Sequence, residues 1–491
     1  MRVALLADTH FVHDRAAAIG TRRAGIADLL LLRAVHRLNR HIRPDLTVIL
    51  GDLVNDGNAP EADAQFQTMR KTLDLLRMPW MALPGNHDAD PKRFFRHFPR
   101  PPDTVDVAGV RFLPFVDPEE PGYNARRSEP DIGRMRAARA DGWRGPVVML
   151  QHVPLFPPGL HPCPYNYVNA AELVQHMEQH GILAAVGGHY HSGFAPLRRG
   201  SSYFVAAPAL CEAPFAYLLL DIGTESVQAE RQTLAMPADL GLVDIHVHTH
   251  LAYCSENMDI GLARSLASDF GLAGLRFTEH SGHLYFNPRD YGAKCFAGGI
   301  ASASPEHNRM REYTGALTGF GVDPASWGIE IDADFRGDLL VQPQDLPPLP
   351  FRVGAVHGLR TLQSPQADDA HAAEDFLAVL NRFLGPDLAV LAHPFRVFRR
   401  AGRSAPAGLF APTVRLLKER GLAAEINFHT NDPDPQFVRQ CIDAGVPLAF
   451  GSDAHNLYEV GEFFPHLDLL RRAGFDGDPR DVLSTVARTR A

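Results

Sequence analysis

The stretch Val3-Ala4-Leu5-Leu6-Ala7-Asp8-Thr9-His10 places a carboxylate and an imidazole directly after an apolar run. A short apolar run of this kind predicts a buried strand. Side chains at the end of such a strand stand on a rigid support, and neighbouring loops converge there on one crevice. The stretch therefore predicts a site at the end of the first strand of an α/β domain.

The rest of the first half alternates further apolar runs with amphipathic segments, which is typical of a layered α/β domain. Helices are predicted over Leu29–Leu38 and over Glu61–Arg77, where apolar residues recur at helical spacing. Further strands are predicted at Leu46–Leu50, Trp80–Leu83, Val147–Leu150, Leu183–Val186, Tyr203–Ala207 and Tyr217–Leu220.

Polar motifs follow several of these predicted strands. They are Gly51-Asp52, Gly85-Asn86-His87-Asp88, Gln151-His152 and Gly188-His189-Tyr190-His191. Each motif alone is commonly a turn or a chance arrangement of surface residues without a function. Their succession after apolar runs favours a metal site, because Asp, Asn and His supply the oxygen and nitrogen ligands that Mn, Fe and Zn accept.

This set of motifs resembles the calcineurin-like metallophosphoesterases over residues 1–236, and among them the class III cyclic-nucleotide phosphodiesterases. The resemblance implies a two-sheet α/β sandwich that holds two divalent transition metals (Mn, Fe or Zn). It implies one ion on Asp8, His10, Asp52 and His191, and a second on Asp52, Asn86, His152 and His189. It also implies that His87 is catalytic, contacting the phosphate or protonating the leaving oxygen.

An arginine-rich segment lies between Asp88 and Val147. Its arginines are expected either to form a solvated surface or to hold a phosphate, since guanidinium groups match phosphate geometry. The stretch from His161 to Asn169 is a candidate lid over the same site. The sequence leaves both questions open.

A shift in composition near Pro237 predicts a domain boundary, with a second domain over residues 241–491. Strand-like runs recur there between helical patterns, and regular alternation over this length predicts a barrel. The predicted strands are Leu242–Ile245, Gly274–Phe277, Gly328–Ile331, Val353–Val356, Leu388–Ala392, Ala423–Ile426 and Pro447–Phe450.

The second half carries its own imidazole and carboxylate motifs. His246 and His248 are two residues apart on a predicted strand, so both side chains point to the same face. The other candidates lie at the ends of later strands, where barrel active sites form. They are His280, Glu330, His357, His393, Asp453 and His455.

This half resembles the PHP (polymerase and histidinol phosphatase) family, which implies a distorted (β/α)7 barrel with two or three divalent metals (Mn, Fe or Zn). The resemblance implies ligands grouped as His246, His248, Glu330 and Asp453, then Glu330, His357 and His393, then His280 and His455. The family offers one more ligand after the first motif, for which Cys254, Glu256 or His250 would serve. Arg396 is expected either to hold a phosphate or to belong to a solvated basic loop.

Composition limits the setting in which this chemistry would occur. The net charge is -9, which argues against a broad basic surface for nucleic acid. The 5 cysteines include no C-x-x-C pair, which fits a reducing cytoplasm. We find no signal-peptide pattern and no apolar run near the ~18 residues of a membrane span. The family resemblances imply a small phosphorylated substrate as the partner. No membrane is expected, and the oligomeric state is not readable from the sequence.

The two motif sets together predict a bifunctional metal-dependent phosphoesterase. The first domain would open a small phosphodiester, which could be cyclic, to a monoester. The second would then release phosphate and an alcohol. Two alternatives stay open at this stage. One is a nuclease or other nucleic-acid-processing phosphoesterase, and the other is one active domain beside a scaffold or ligand sensor.

Overall fold

A computed structural model describes residues 1–488 of the chain. The chain divides into two compact units, Met1–Ala235 and Met236–Ala491, called here the N-terminal and C-terminal units. Each unit has a mixed α/β fold. Within residues 1–488, no helix is both long enough and apolar enough to cross a membrane.

The N-terminal unit contains two main sheets. One has five strands in the order β13-β12-β1-β2-β3, and the other has six in the order β10-β11-β9-β8-β5-β4. The strands are β1 Arg2–Leu6, β2 Leu46–Ile49, β3 Trp80–Ala82, β4 Val105–Val107, β5 Val110–Pro114, β6 Glu119–Glu120, β7 Asn124–Ala125, β8 Val147–Leu150, β9 Ala184–Gly187, β10 Phe194–Arg199, β11 Ser202–Ala206, β12 Ala216–Ile222 and β13 Val227–Thr233. The helices are α1 Ala27–Arg37, α2 Ala62–Leu73, α3 Pro91–His97, α4 Glu129–Arg136 and α5 Ala170–Gln179.

The two sheets share one apolar core. Leu5 and Val48 of the first sheet belong to the same buried cluster as Val148 and Val186 of the second. Burying an aliphatic side chain of this size contributes roughly 1.5–3 kcal/mol. Strands β1, β2 and β3 run parallel, as do β5, β8 and β9, so the carboxyl ends within each set lie together.

Seven parallel strands of the C-terminal unit form one sheet in chain order. They are β14 Val243–Val247, β15 Gly274–His280, β16 Trp327–Asp332, β17 Phe351–Ala355, β18 Val390–Leu391, β19 Ala423–Ile426 and β20 Leu448–Phe450. The N–H of Asp453 donates to the carbonyl of His246 (2.7 Å), which links the end of the last strand to the first. The sheet is therefore a nearly closed, barrel-like structure.

Helices of the C-terminal unit lie between these strands along the chain, except for the last helix, which follows β20. They are α6 Ile260–Asp269, α7 Ser281–Tyr285, α8 Ala293–Gly298, α9 Met310–Gly319, α10 Asp369–Phe383, α11 Arg396–Arg400, α12 Phe410–Arg420, α13 Pro435–Ala444 and α14 Phe464–Arg472. A parallel strand pair requires such a crossover connection.

Several predicted elements are shorter in the structure than the sequence pattern indicated, most clearly one helix and one strand. Helix α2 ends at Leu73 rather than Arg77, because the backbone N–H groups of Leu75 and Leu76 bond to carbonyls three residues back rather than four. The N–H of Arg77 donates to the side chain of Asn39 (2.9 Å). The strand predicted over Leu388–Ala392 is reduced to Val390–Leu391. Hydrophobic patterns mark burial, and burial continues beyond the residues that form regular hydrogen bonds.

The arginine-rich segment is largely an ion-paired scaffold. Arg127 is fully buried and donates two hydrogen bonds to Asp117 (3.1 and 2.8 Å). The Tyr167 hydroxyl also donates to Asp117 (2.6 Å). The other ion pairs of this segment are Arg93–Asp63, Arg126–Glu120, Arg134–Asp131 and Arg136–Glu129. These arginines therefore have carboxylate partners within the fold.

Replacing Arg127 with Met would leave Asp117, only 3% exposed at its side chain, without its countercharge. We expect the free energy of unfolding of the N-terminal unit to fall by about 3–5 kcal/mol. Arg126→Met is the matched control, because exposed ion pairs contribute about 0–1 kcal/mol. Urea-dependent hydrogen exchange of strand β8 measures both variants, and equal stabilities would contradict the buried ion pair.

Candidate metal centres

The N-terminal cluster forms at the carboxyl ends of parallel strands. Asp8, Asp52 and Asn86 follow β1, β2 and β3, and His152 and His189 follow β8 and β9. Asp8, Asp52 and His189 adopt left-handed backbone angles, with φ of 55°, 54° and 63°. Such angles are uncommon outside glycine and collect at functional sites, where the surrounding structure holds them.

One half of this cluster joins Asp8, His10, Asp52 and His191. The Nε2 atom of His10 lies 3.6 Å from an Asp52 oxygen and 4.0 Å from an Asp8 oxygen. The Nε2 atom of His191 lies 3.2 Å from that of His10 and 3.8 Å from Asp8. These atoms are close enough to share one cation.

The other half joins Asp52, Asn86, His152 and His189. The Nε2 atom of His152 lies 3.4 Å from an Asp52 oxygen, 3.1 Å from the Asn86 oxygen and 3.2 Å from Nδ1 of His189. Asp52 therefore contacts both halves. All the residues that the sequence grouped into this centre lie together in the fold.

Hydrogen bonds outside the cluster orient three of its imidazoles. The Nδ1 atom of His152 donates to the Leu50 carbonyl (2.6 Å), and that of His87 donates to the Asn55 carbonyl (2.7 Å). His191 Nδ1 pairs with Glu212 (2.7 Å). A bond at Nδ1 leaves the Nε2 lone pair free, which is how metal-binding histidines are commonly held. Glu212 was not identified from the sequence, because it belongs to no motif.

Close packing around the cluster requires glycine at two positions. A side chain at Gly51, where φ is 98°, would meet the His152 ring at 2.5 Å. A side chain at Gly85 would meet Asp52 at 2.2 Å. Gly51 and Gly85 thus let the two strand ends approach the donor atoms.

The donor set fits divalent cations. One Asp8 oxygen is buried without a hydrogen-bond partner. Burial raises the pKa of Asp8 to about 8. For His152, burial disfavours the charged form, but the charge and hydrogen bond of Asp52 outweigh it and raise the pKa to about 10. Both raised pKa values mean that bound protons reduce the negative charge of the cluster, as a bound metal ion would also do.

The C-terminal cluster is centred on the buried carboxylate of Glu330. His393 Nε2 lies 2.8 Å from Glu330, His357 Nε2 lies 3.5 Å from it, and His246 Nε2 lies 3.6 Å from it. His280 Nδ1 contacts the second Glu330 oxygen. Donors from strands β14 to β18 thus meet at one carboxylate.

Asp453 is the second carboxylate of this cluster. It lies 2.8 Å from Nε2 of His248 and 3.6 Å from Nε2 of His246. His455, two residues later, places its Nε2 atom 3.3 Å from that of His280. The structure therefore gathers all the C-terminal candidates that the sequence named as ligands.

Buried carboxylates outside the cluster hold its imidazoles. Glu425 pairs with Nδ1 of His246 (2.8 Å) and accepts from the backbone of His393 (2.6 Å). Glu279 pairs with Nδ1 of His248 (3.2 Å), and Asp332 pairs with Nδ1 of His357. None of these three was predicted as part of the site. A charged residue inside the otherwise apolar strand β19 is the signal that would have identified Glu425.

This donor set also fits divalent cations. His246 Nε2, His280 Nδ1 and one Glu330 oxygen are buried without a hydrogen-bond partner. Burial disfavours a charge on His248, yet its bonds to Asp453 and Glu279 outweigh burial and raise the pKa to about 9. Three unpartnered donor atoms in one buried cluster are an arrangement that a divalent cation would satisfy.

Arg396 lies within the C-terminal cluster and is buried. Its guanidinium contacts Asp453 and donates at 2.8 Å to Nε2 of both His357 and His393. It therefore belongs to no solvated loop. Arg396 places positive charge beside atoms that could also bind a metal ion. Its role in substrate binding stays a prediction.

Glu212→Gln should weaken metal binding in the N-terminal cluster. The substitution removes the carboxylate that orients His191, and losses of about 10–100-fold in affinity are usual for such partners. Glu225→Gln, at an exposed position of the same unit, is the control. Competition with a chromogenic chelator measures both affinities. Unchanged affinity in Glu212→Gln would show that this bond does not support the site.

Comparisons with known proteins agree with the N-terminal geometry. The calcineurin-like phosphoesterase family matches residues 1–193. The glycerophosphodiester phosphodiesterase GpdQ of Enterobacter lignolyticus is 30% identical over 175 residues, covering 32% of this chain and 59% of that protein. A probable phosphatase of Acetivibrio thermocellus is 26% identical over 202 residues, covering 37% of this chain and 78% of its own.

This chain spans less than two thirds of the length of GpdQ. A probable cyclic nucleotide phosphodiesterase of Moraxella catarrhalis is 35% identical over 83 residues, which cover 17% of this chain and 26% of that protein. A dimetal phosphatase structure from Danio rerio aligns with 47% of this chain and 98% of its own, at 17% identity and a TM-score of 0.39. The likeness of the C-terminal unit to the PHP family stays a prediction. Residues 1–193 form a calcineurin-like phosphoesterase domain, from a family of metal-dependent phosphoric ester hydrolases.

Proposed function

We propose that the N-terminal unit hydrolyses a small phosphodiester and that the C-terminal unit, as a PHP-type phosphoesterase, hydrolyses a phosphomonoester. The proposed partner is a small phosphorylated metabolite rather than nucleic acid, in keeping with the acidic net charge of -9. The names of relatives support ester hydrolysis, since they include phosphodiesterases and a phosphatase. One observation carries the diester assignment, namely the pair of cavities beside the N-terminal cluster.

These cavities measure about 360 and 480 Å³ and share Asn86, Tyr123 and His189 in their walls. The smaller cavity extends toward Phe115 and Val116, and the larger reaches Asp52 and His87. A phosphodiester carries an organic group on each side of phosphorus, whereas a monoester carries only one. Two cavities that meet at the donor cluster therefore suit a diester.

Metal ions held by these donors would polarise the phosphoryl oxygens and lower the pKa of water. Side chains of the protein would supply a proton and orient the substrate. His87 donates through Nδ1 to the Asn55 carbonyl, so its Nε2 edge stays available to a substrate oxygen. His87 belongs to the group of close donor atoms with His10 and Asp52. We assign His87 to hydrogen bonding of the phosphate or protonation of the leaving oxygen.

The two units would then act in sequence, since a monoester released by the first is a substrate class for the second. Arg396 would serve the second unit by binding the phosphate, because guanidinium groups bind phosphate through two parallel bonds. The support for this order is that each unit has its own complete donor cluster.

Asp52→Asn and His393→Ala test the proposed division of labour. Asp52→Asn should lower diester hydrolysis at least about 100-fold, because it weakens both halves of the N-terminal cluster. It should spare monoester hydrolysis, and His393→Ala should do the reverse. Initial rates on a panel of diesters and monoesters, with metal content determined for each variant, give the answer. Loss of both activities in either variant would contradict two independent sites.

Tyr123→Ala tests the two-cavity arrangement. Tyr123 is 56% exposed, sits between the cavities and lies 6.4 Å from the His189 ring. Losing one aromatic contact of about 1.4 kcal/mol should lower kcat/KM roughly 10-fold for diesters with aryl groups, leaving metal affinity unchanged. Leu75→Ala, at a residue 50% exposed, is the control. Equal kcat/KM in both variants would remove Tyr123 from the substrate site.

A further inference from the structure

Arg22 is an arginine without a carboxylate partner beside the N-terminal cluster. It is half-buried and lines the larger of the two cavities, together with His87 and His191. Its Nη1 group lies 3.3 Å from Nδ1 of His10 and donates to the side-chain oxygen of Asn55 (3.3 Å). Within residues 1–488, no carboxylate lies close enough to Arg22 for an ion pair. The remaining guanidinium N–H groups are therefore available to a ligand in the cavity.

The backbone around Arg22 is held in place. Arg22 exchanges two backbone hydrogen bonds with Ile19 (3.0 and 3.1 Å). The hydroxyl of the neighbouring Thr21 donates to Glu212 (2.8 Å), which is the carboxylate that orients His191. The position of Arg22 is thus tied to the metal-ligating side of the cluster. A side chain on a fixed backbone loses less conformational entropy when it binds a ligand.

Arg22 lies on the far side of the His10 ring from the potential metal-ligating atoms. The Nε2 atom of His10 faces Asp8 and Asp52, whereas Arg22 lies beside Nδ1, on the opposite edge of the ring. His10 that binds a cation through Nε2 carries its proton on Nδ1, and it then offers Arg22 no acceptor. Arg22 is therefore about one imidazole width too far out to be a metal ligand, and it is suited to a group farther along the substrate.

The two cavities differ in charge. The smaller one has apolar walls that include Phe115 and Val116, and its mouth carries the exposed carboxylate of Glu119. The larger one has Arg22 and Tyr165 in its wall. Among the described residues that line either cavity, Arg22 is the only lysine or arginine. An anionic group would therefore be favoured in the larger cavity and disfavoured in the smaller one.

A structural role as a counter-charge does not account for Arg22. Burial is the largest influence on the pKa of Asp8, and the charge of Arg22 is only a minor one, which lowers it. Divalent cations held by Asp8 and Asp52 would supply positive charge in the same region and would repel the guanidinium. A half-buried cation in such a setting is costly unless an anion lies beside it. The site is therefore short of one negative group near Arg22.

We propose that Arg22 binds a second anionic group of the substrate, a carboxylate or a second phosphate, in the larger cavity. The substrate class is then an asymmetric phosphodiester, with an apolar group on one side of phosphorus and an acidic group on the other. Guanidinium groups bind such oxyanions through two parallel hydrogen bonds. This inference rests on the proposed phosphodiesterase function of the N-terminal unit and adds the kind of diester that the unit accepts.

Three 4-nitrophenyl phosphodiesters test the proposal on the metal-loaded full chain. The second ester group is a short alkyl chain that ends in a carboxylate, a phosphate or a neutral amide. In wild type, kcat/KM should be about 10–100-fold higher for at least one acidic ester than for the amide, because a hydrogen bond to a charged group is worth that much. Whichever acidic ester is preferred identifies the oxyanion.

Variants at position 22 assign the preference to the guanidinium. Arg22→Gln should bring the ratio of acidic to amide ester close to 1, Arg22→Glu should reverse it, and Arg22→Lys should keep part of it. Arg144→Gln is the matched control, because Arg144 is exposed in the same unit and lines neither cavity. It should keep the ratio of wild type.

Equilibrium binding gives a second readout that does not depend on turnover. Phosphonate analogues, in which carbon replaces the ester oxygen of the leaving group, should show the same ratios in their Kd values by calorimetry. Metal content should be the same in wild type, Arg22→Gln and Arg144→Gln, since Arg22 is assigned no bond to a metal.

Contrary results separate this inference from the proposed function. Equal kcat/KM of wild type for acidic and amide esters, or an equal loss for both in Arg22→Gln, would overturn the substrate class while leaving diester hydrolysis intact. Loss of metal from Arg22→Gln would assign Arg22 to the metal centre and would also overturn it. If wild type hydrolyses none of the three diesters, the proposed function of the N-terminal unit itself is wrong.

Discussion

Both units depend on one constraint, which is that potential metal-ligating atoms are buried close together without hydrogen-bond partners. Asp8 in one unit and Glu330 in the other each keep a carboxylate oxygen unpartnered inside the protein. Burying such groups is unfavourable unless a positive charge compensates them. The raised pKa values of His152 and His248 and the guanidinium of Arg396 place positive charge beside these carboxylates. A divalent cation bound by the same donor atoms would supply such charge as well.

The fold brings these atoms together by placing loops at the ends of parallel strands. In the N-terminal unit the donors follow strands from two sheets that share one apolar core. In the C-terminal unit they follow successive strands of a nearly closed sheet. His393 and Asp453 adopt left-handed backbone angles (φ 28° and 54°), as Asp8 and Asp52 do. Both units thus hold strained ligand positions on rigid strands.

The sequence was sufficient to predict which motifs would lie close together, because each motif follows a strand and the carboxyl ends of parallel strands lie together. Asp8 and Asp52, 44 positions apart, lie beside the same His10 in the structure. Element limits were less predictable, since apolar runs continue past the last regular hydrogen bond, as in α2. The coarse fold classes agree with the structure, with paired sheets in one unit and a barrel-like sheet in the other.

Glu425 left a local signal as a charged residue inside an apolar strand, but the pairings of the outer partners could not be predicted, because each pairing depends on long-range contacts. Glu425 lies 179 positions from His246, and Glu212 reaches back 21 positions to His191. Arg127 likewise depends on Asp117 and Tyr167 to become a buried scaffold residue. Its local sequence resembles that of its exposed neighbour Arg126. Whether an arginine is ion-paired and buried therefore depends on tertiary contacts rather than on its local sequence.

Two clusters on one chain use different donors for related purposes. The N-terminal cluster combines two aspartates and an asparagine with histidines, whereas the C-terminal cluster combines one glutamate and one aspartate with histidines and adds an arginine. Anomalous diffraction from crystals of the full chain, measured at the absorption edges of Mn, Fe and Zn, would locate the ions most directly. We expect strong peaks beside both Asp52 and Glu330. The lack of a peak beside either carboxylate, in crystals grown with these metals, would contradict a metal centre in that unit.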